Sequence, residues 1–160
     1  LVDTQPTEQL DALLSKRQSL INVLKRRLDA GELTYARYLS TSQQVFSSAL
    51  DNLHEVAVAY ESISTIDETY IDRRLAELEA DDSDAASAAR ERETLERRRD
   101  LRTTQRRRIA QFLAQNESAL TALDRTTTAL ADVPIGKQPE DVDAAMAALE
   151  ELADRAAKYA

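Results

Sequence analysis

Apolar residues recur at intervals of three and four along most of the chain, a spacing that places them on one face of successive helices. Leu10, Leu13, Leu14, Leu20, Ile21, Leu24 and Leu28 form the first such stripe. It predicts a helix that begins just after Pro6, with Thr7 and Glu8 in its first turn, and that stops at Gly31. Glycine suits that end because it takes a left-handed C′ conformation without steric cost. Thr34 then reads as the N-cap of a second helix, its hydroxyl accepting from free first-turn amides. The second stripe runs through Tyr38, Leu39, Phe46, Leu50, Leu53, Val56, Tyr60, Ile63, Tyr70, Ile71, Leu75 and Leu78. It predicts a helix over about 34–79. If that helix is interrupted, the place is Ser62 to Glu68, where Thr65 and Glu68 have the spacing of a capping box.

Residues 80–87 read as a loop, with Asp82, Ser83 and Asp84 as candidate N-caps of a third helix over about 84–132. Val133 to Pro139 holds the one cluster of Pro and Gly and reads as a connection. The last helix is expected to start at Pro139, a favoured first helical residue, and to end near Lys158, where Arg155 and Lys158 complement the helix dipole. Its stripe is Val142, Met146, Leu149, Leu152 or Ala153, and Ala156.

With the loop centred near residue 82 or 83, antiparallel pairing sets residues whose numbers total about 165 side by side, so that Val56 faces Ile109. The apolar part of the third helix is Ile109, Phe112, Leu113, Leu120, Leu123, Leu130 and Val133, which coincides with the apolar half of the second. Short connections fold the first and last helices back over the same end. The expectation is an all-α chain forming a single helical domain. Its base is an antiparallel four-helix bundle over about 7–56 and 109–158, and residues of about 57–108 project as a coiled-coil hairpin arm.

One local stretch, Leu24 to Phe46, resembles the SHOCT helical-hairpin motif found in many bacterial proteins. The positions that carry the resemblance are Asp29, Gly31, Leu33, Thr34, Tyr38, Val45 and Phe46. Tyr35, Ala36 and Arg37 stand where that motif usually has acids. The resemblance implies oligomerisation or partner binding rather than catalysis.

Composition adds abundant Ala, Leu, Arg and Glu to two Gly, three Pro and no Cys, which favours helices and excludes disulfides, thiol chemistry and cysteine-ligated metals. No apolar run approaches the ~20 residues of a membrane-spanning helix. A cytoplasmic location is the expectation, and a start at Leu1 reads as a processed protein or a fragment of a longer one.

The formal net charge is −8, yet Arg90 to Arg108 carries nine arginines against four acids, a local net of +5. Those arginines point in nearly every direction around a helix, and the facing segment Asp67 to Asp84 has a net of −6. Mutual pairing in the arm is therefore expected ahead of a phosphate grip. Nucleic-acid binding through Arg97, Arg98, Arg99, Arg106, Arg107 and Arg108 is the alternative, disfavoured by the acidity of the remaining chain.

Tyr60, Ile63, Ile66, Tyr70, Ile71, Leu75 and Leu78 present more apolar surface than the facing half of the third helix offers. Either alanines and arginine stems cover them, or a second copy or partner helix docks there. The single histidine, His54, stands three residues after Asp51, but a di-metal bundle needs two such pairs and further glutamates. No phosphate-loop, nucleophile-elbow or zinc-helix motif is present, and no cofactor is expected. The sequence points to a non-catalytic structural or interaction module, with self-association or a protein partner as its work.

Overall fold

The computed structural model describes residues 4–80, 85–132 and 140–159. It consists of five helices, α1 (Gln5–Arg27), α2 (Leu33–Ile63), α3 (Glu68–Ala80), α4 (Ala85–Asp132) and α5 (Glu140–Tyr159), with no strand among the described residues. The loop caps Asp82, Ser83 and Asp84 and the connection 133–139 lie outside the described residues. The chain divides into two compact units: unit 1 is Leu1–His54 with Phe112–Ala160, and unit 2 is Glu55–Gln111.

In unit 1, α1 starts at Gln5 with Pro6 in its first turn, where the missing amide costs nothing, and its last turn carries Lys25, Arg26 and Arg27. It ends four residues before Gly31. Leu28 is extended (φ −123°, ψ 149°) while its amide still donates to the Leu24 carbonyl. Asp29, rather than Gly31, makes the turn. Its Oδ1 accepts from the Gly31 amide at 3.1 Å, and its own amide donates back to Glu32 Oε1 at 3.3 Å. Gly31 is not in the left-handed region. The expected glycine cap is thus replaced by an Asx turn, in which a short carboxylate does locally what a left-handed backbone would do. The Glu32 carbonyl accepts the first helical amide of α2, from Ala36, so Thr34 lies inside the first turn rather than capping it.

The core of unit 1 is built from Leu13, Leu20 and Leu24 of α1, Tyr38, Val45, Phe46 and Ala49 of α2, Leu120, Leu123 and Leu130 of α4, and Met146, Leu149 and Ala153 of α5. The phase of α1 differs from the hydrophobic stripe. Leu10 and Leu14 are 37% and 49% exposed, whereas Gln9 is buried. Gln9 faces α4, where its Nε2 donates to the Leu113 carbonyl at 3.0 Å and to Glu117 Oε1 at 2.7 Å. Lys16 to Asp124 and Arg27 to the Ala131 carbonyl continue this seam, so α1 runs parallel to α4. Arg17 donates to Gln43, Arg37 pairs with Glu150, and Thr126 of α4 reaches the Ala145 carbonyl of α5.

Unit 2 contains the end of α2, all of α3 and the first part of α4. The helix expected over 34–79 is broken: α2 ends at Ile63 and α3 starts at Glu68. Between them two short-range backbone bonds form, from the Ser64 amide to the Glu61 carbonyl and from the Ile66 amide to the Ile63 carbonyl. The cap of α3 is Asp67, whose Oδ1 accepts from the Tyr70 amide at 3.0 Å. Thr65 and Glu68 therefore do not form the expected capping box.

Candidate interaction surface

The seven side chains that the sequence offers as a docking stripe lie within unit 2. Ile63, Ile71, Leu75 and Leu78 are buried, Tyr60 and Ile66 are half-buried, and Tyr70 is exposed. Ile71, Leu75 and Leu78 close on Leu95 of α4, with Ile66 and Ala88 packed against the cluster. Two arginines supply much of the remaining cover. Arg92 lies half-buried with Nη2 3.4 Å from the Leu78 carbonyl, and Arg102 reaches the carbonyls of Ile63, at 3.3 Å, and Ile66. Their aliphatic stems cover apolar surface while the guanidinium heads find acceptors. In this conformation the stripe is mostly an internal seam of the unit.

Charge pairing across the hairpin differs from a simple match of an acidic segment to a basic one. Arg74, a cation of the acidic segment, holds Glu91, an acid of the basic segment, through two bonds of 2.6 and 2.9 Å. These bonds, with a further one that Arg74 donates to Glu77, raise the guanidinium pKa, and the two to Glu91 hold its carboxyl below its usual range. Glu68 is the α3 acid that meets the Arg-rich segment, 3.2 Å from Arg102 Nε and 3.6 Å from Arg106 Nη2. The residue numbers of Arg74 and Glu91 total 165, as do those of Ala49 and Asn116 in unit 1.

The six arginines of the nucleic-acid alternative separate into two sets. Arg97 pairs with Glu93 on its own helix, Arg106 with Glu68, and Arg108 with Glu55. Arg98, Arg99 and Arg107 have no ion pair among the described residues. Arg99 and Arg107 are exposed and Arg98 is half-buried. They are spread around α4 rather than gathered on one face.

In unit 1, polar side chains lie inside the core where the sequence pattern shows none. Asn116 is fully buried. Its Nδ2 donates to the Ala49 carbonyl at 3.1 Å and its Oδ1 accepts from Asn52 at 3.0 Å, so α2 and α4 are tied at one register. Thr126, also fully buried, donates back to the Ala122 carbonyl. Tyr38 is almost fully buried, and burial, reinforced by the nearby carboxylate of Asp143, pushes its phenol up to about 12.

Two open grooves mark the unit's surface. One of about 320 Å³ runs between α1 and α4 past Gln9, Lys16, Glu117 and Asp124. The other, of about 370 Å³, lies between α4 and α5 past Arg125, Glu151 and Arg155. His54 is exposed, and among the described residues no three acids or histidines are arranged to hold a metal ion. No helix among the described residues is long and apolar enough to cross a membrane.

Arg102, Asn116 and Gln9 are the residues whose roles the sequence hid, because each is polar at a position where pattern reasoning expects solvent. The chain matches no protein-family model, no curated protein and no solved structure. The likeness of Leu24 to Phe46 to the SHOCT hairpin therefore rests on its residues alone.

Proposed function

We propose that this chain is a non-catalytic interaction module. In this reading unit 1 is an antiparallel four-helix bundle, unit 2 is a coiled-coil hairpin, and the module works by self-association or by holding a protein partner. The observation that carries it is the use made of polar side chains. Asn52 with Asn116, Gln9 with Glu117, Arg74 with Glu91 and Arg102 with Glu68 each tie one helix to another. Such contacts fix register and add little to stability when exposed, which suits a scaffold whose surfaces must keep their spacing.

Within unit 2 the large apolar side chains left exposed are Val58, Tyr70 and Leu101, at 48%, 41% and 61%. Self-association through these side chains predicts a solution mass by light scattering that rises toward a multiple of the chain mass with concentration. Tyr70→Asp combined with Leu101→Asp should return it to one chain. A mass that stays at one chain throughout, and that the double variant leaves unchanged, removes self-association from the reading.

Arg98, Arg99 and Arg107 support a second reading, nucleic-acid binding, since their charge is uncompensated by ion pairs among the described residues. It predicts an affinity that falls steeply with salt as phosphate contacts release counterions. Retention of that affinity after neutralising Arg97, Arg98 and Arg99 would count decisively against it.

A further inference from the structure

The break between α2 and α3 has an unusual origin. Sharp interruptions of a helix come from proline, from Gly or Ser pairs, from a π-bulge, or from a side chain inserted into the hydrogen-bond ladder. Residues 64–67 are Ser, Thr, Ile and Asp, with neither Pro nor Gly. Nothing in their covalent structure forbids a helix.

What stands at the ladder instead is a side chain from another helix. Arg102 of α4 donates from Nη1 to the carbonyls of Ile63 and Ile66 where α2 stops. The Ile63 carbonyl also accepts from the Ile66 amide, whereas the Ile66 carbonyl has lost its helical donor, the Tyr70 amide, to Asp67 Oδ1. Its side chain is 19% exposed, and its Nε lies 3.2 Å from Glu68 Oε2, at the first residue of α3. That Nε is close to the carboxylate without being aligned for a hydrogen bond, so the contact there is one of charge.

The break also changes the phase of the buried face. Val56, Ala59 and Ile63 are buried in α2. At about 100° per residue an unbroken helix would continue that face through Ile66, Tyr70, Arg74 and Glu77. The residues buried in α3 are Ile71, Leu75 and Leu78, one position later. The discontinuity therefore inserts one residue of phase, and through it the apolar side of α3 meets Leu95.

We propose that residues 64–67 are a two-state hinge latched in its broken state by Arg102. With the guanidinium in place the Ile66 carbonyl is satisfied from outside, and α3 turns Ile71, Leu75 and Leu78 inward. With the guanidinium withdrawn, the Ile66 carbonyl regains the Tyr70 amide and the Ile63 carbonyl takes the Asp67 amide, joining α2 and α3 into one helix as Asp67 gives up its cap. The apolar side of α3 then rotates by about 100° away from its present seat. The device is independent of whichever partner the module holds.

The chain contains no cysteine, so a single introduced thiol reports on one position. Two readouts on the full chain test the latch: amide hydrogen exchange over residues 64–68, and thiol labelling of Leu75→Cys, each with and without Arg102→Gln. The latch predicts that Arg102→Gln slows exchange over 64–68, because those amides enter a helical ladder, and speeds labelling at position 75 at least ~10-fold. Unchanged exchange would mean that the break is set by its own four residues, and the proposal fails. Faster exchange together with faster labelling would mean local unfolding, and it fails equally. Should Arg102→Gln not fold, Arg102→Lys keeps the charge on a single donor group and is read the same way. Slowed exchange with faster labelling supports the latch, and any other pattern overturns it.

Discussion

Single residues differ in how much of the local geometry depends on them. At Gly31 a Cβ would meet nothing closer than Asp29 Oδ1 at 3.8 Å, an ordinary contact, and the backbone is not left-handed. Gly31→Ala is accordingly expected to leave stability unchanged or raise it by about 0.4–1 kcal/mol through the unfolded chain, measured by denaturant melting. A helix that used Gly31 as its left-handed end would lose stability instead. Asn116 is the opposite case. Asn116→Ala removes the acceptor of Asn52 and a donor to the Ala49 carbonyl inside the core. Stability should fall by about 1–3 kcal/mol, since buried polar groups left unmade cost their desolvation.

Tyr38 gives a pH signature. Its phenol is raised to about 12 from a reference of 10.0. The folded state then binds the proton more tightly than the unfolded state. The resulting stabilisation is complete below pH 10.0 and disappears as pH rises through about 12. An ultraviolet phenolate titration should find Tyr38 ionising with the unfolding of unit 1, and Tyr38→Phe should flatten the alkaline loss.

At the scale of elements, the long helices were legible because their apolar residues repeat with helical spacing over many turns. The expected third helix, about 84–132, is α4 at Ala85–Asp132. Phase was less legible than existence. Hydrophobicity alone turns Leu10 and Leu14 inward, yet α1 is rotated so that Gln9 bonds to α4, an acceptor 104 residues away that no local window contains. The break at 64–67 was visible as a possibility in the capping-box spacing of Thr65 and Glu68, but the cap that forms is Asp67, and the arginine that meets the break lies on another helix. Pairing of the acidic and basic segments was also misjudged in detail, since Arg74 and Glu91 exchange the roles assigned to their segments. Asp67 supplies a direct test of the new boundary. Asp67→Ala removes the cap on the Tyr70 amide, should cost about 0.5–2 kcal/mol, and should speed hydrogen exchange at Thr69 and Tyr70.

Across the whole molecule the two units differ in how much apolar interior each commits. Unit 1 gathers side chains from α1, α2, α4 and α5 into one core, with Leu13, Leu20, Leu24, Leu123 and Leu149 fully buried. The α3 part of unit 2 rests on Ile71, Leu75, Leu78 and Leu95, with arginine stems as cover. Regions with few buried apolar contacts open at lower free energy. Native-state hydrogen exchange should therefore show α3 opening well below the global unfolding free energy, while amides around Leu20, Leu123 and Leu149 exchange only with global unfolding. Equal protection in both places would show that the small cluster is as secure as the core.

The parallel seam of α1 on α4 has a consequence for the order in which the chain folds. Its contacts, Gln9 to Leu113, Lys16 to Asp124 and Arg27 to Ala131, join residues 104 to 108 apart. Arg74 and Glu91 are separated by only 17. Loop-closure entropy favours the near contacts, so the hairpin can zip from its tip while the distant pairs wait. On the ribosome, α1 can fold back on α2 as soon as α2 has been made, but its second wall does not exist until the end of α4 follows.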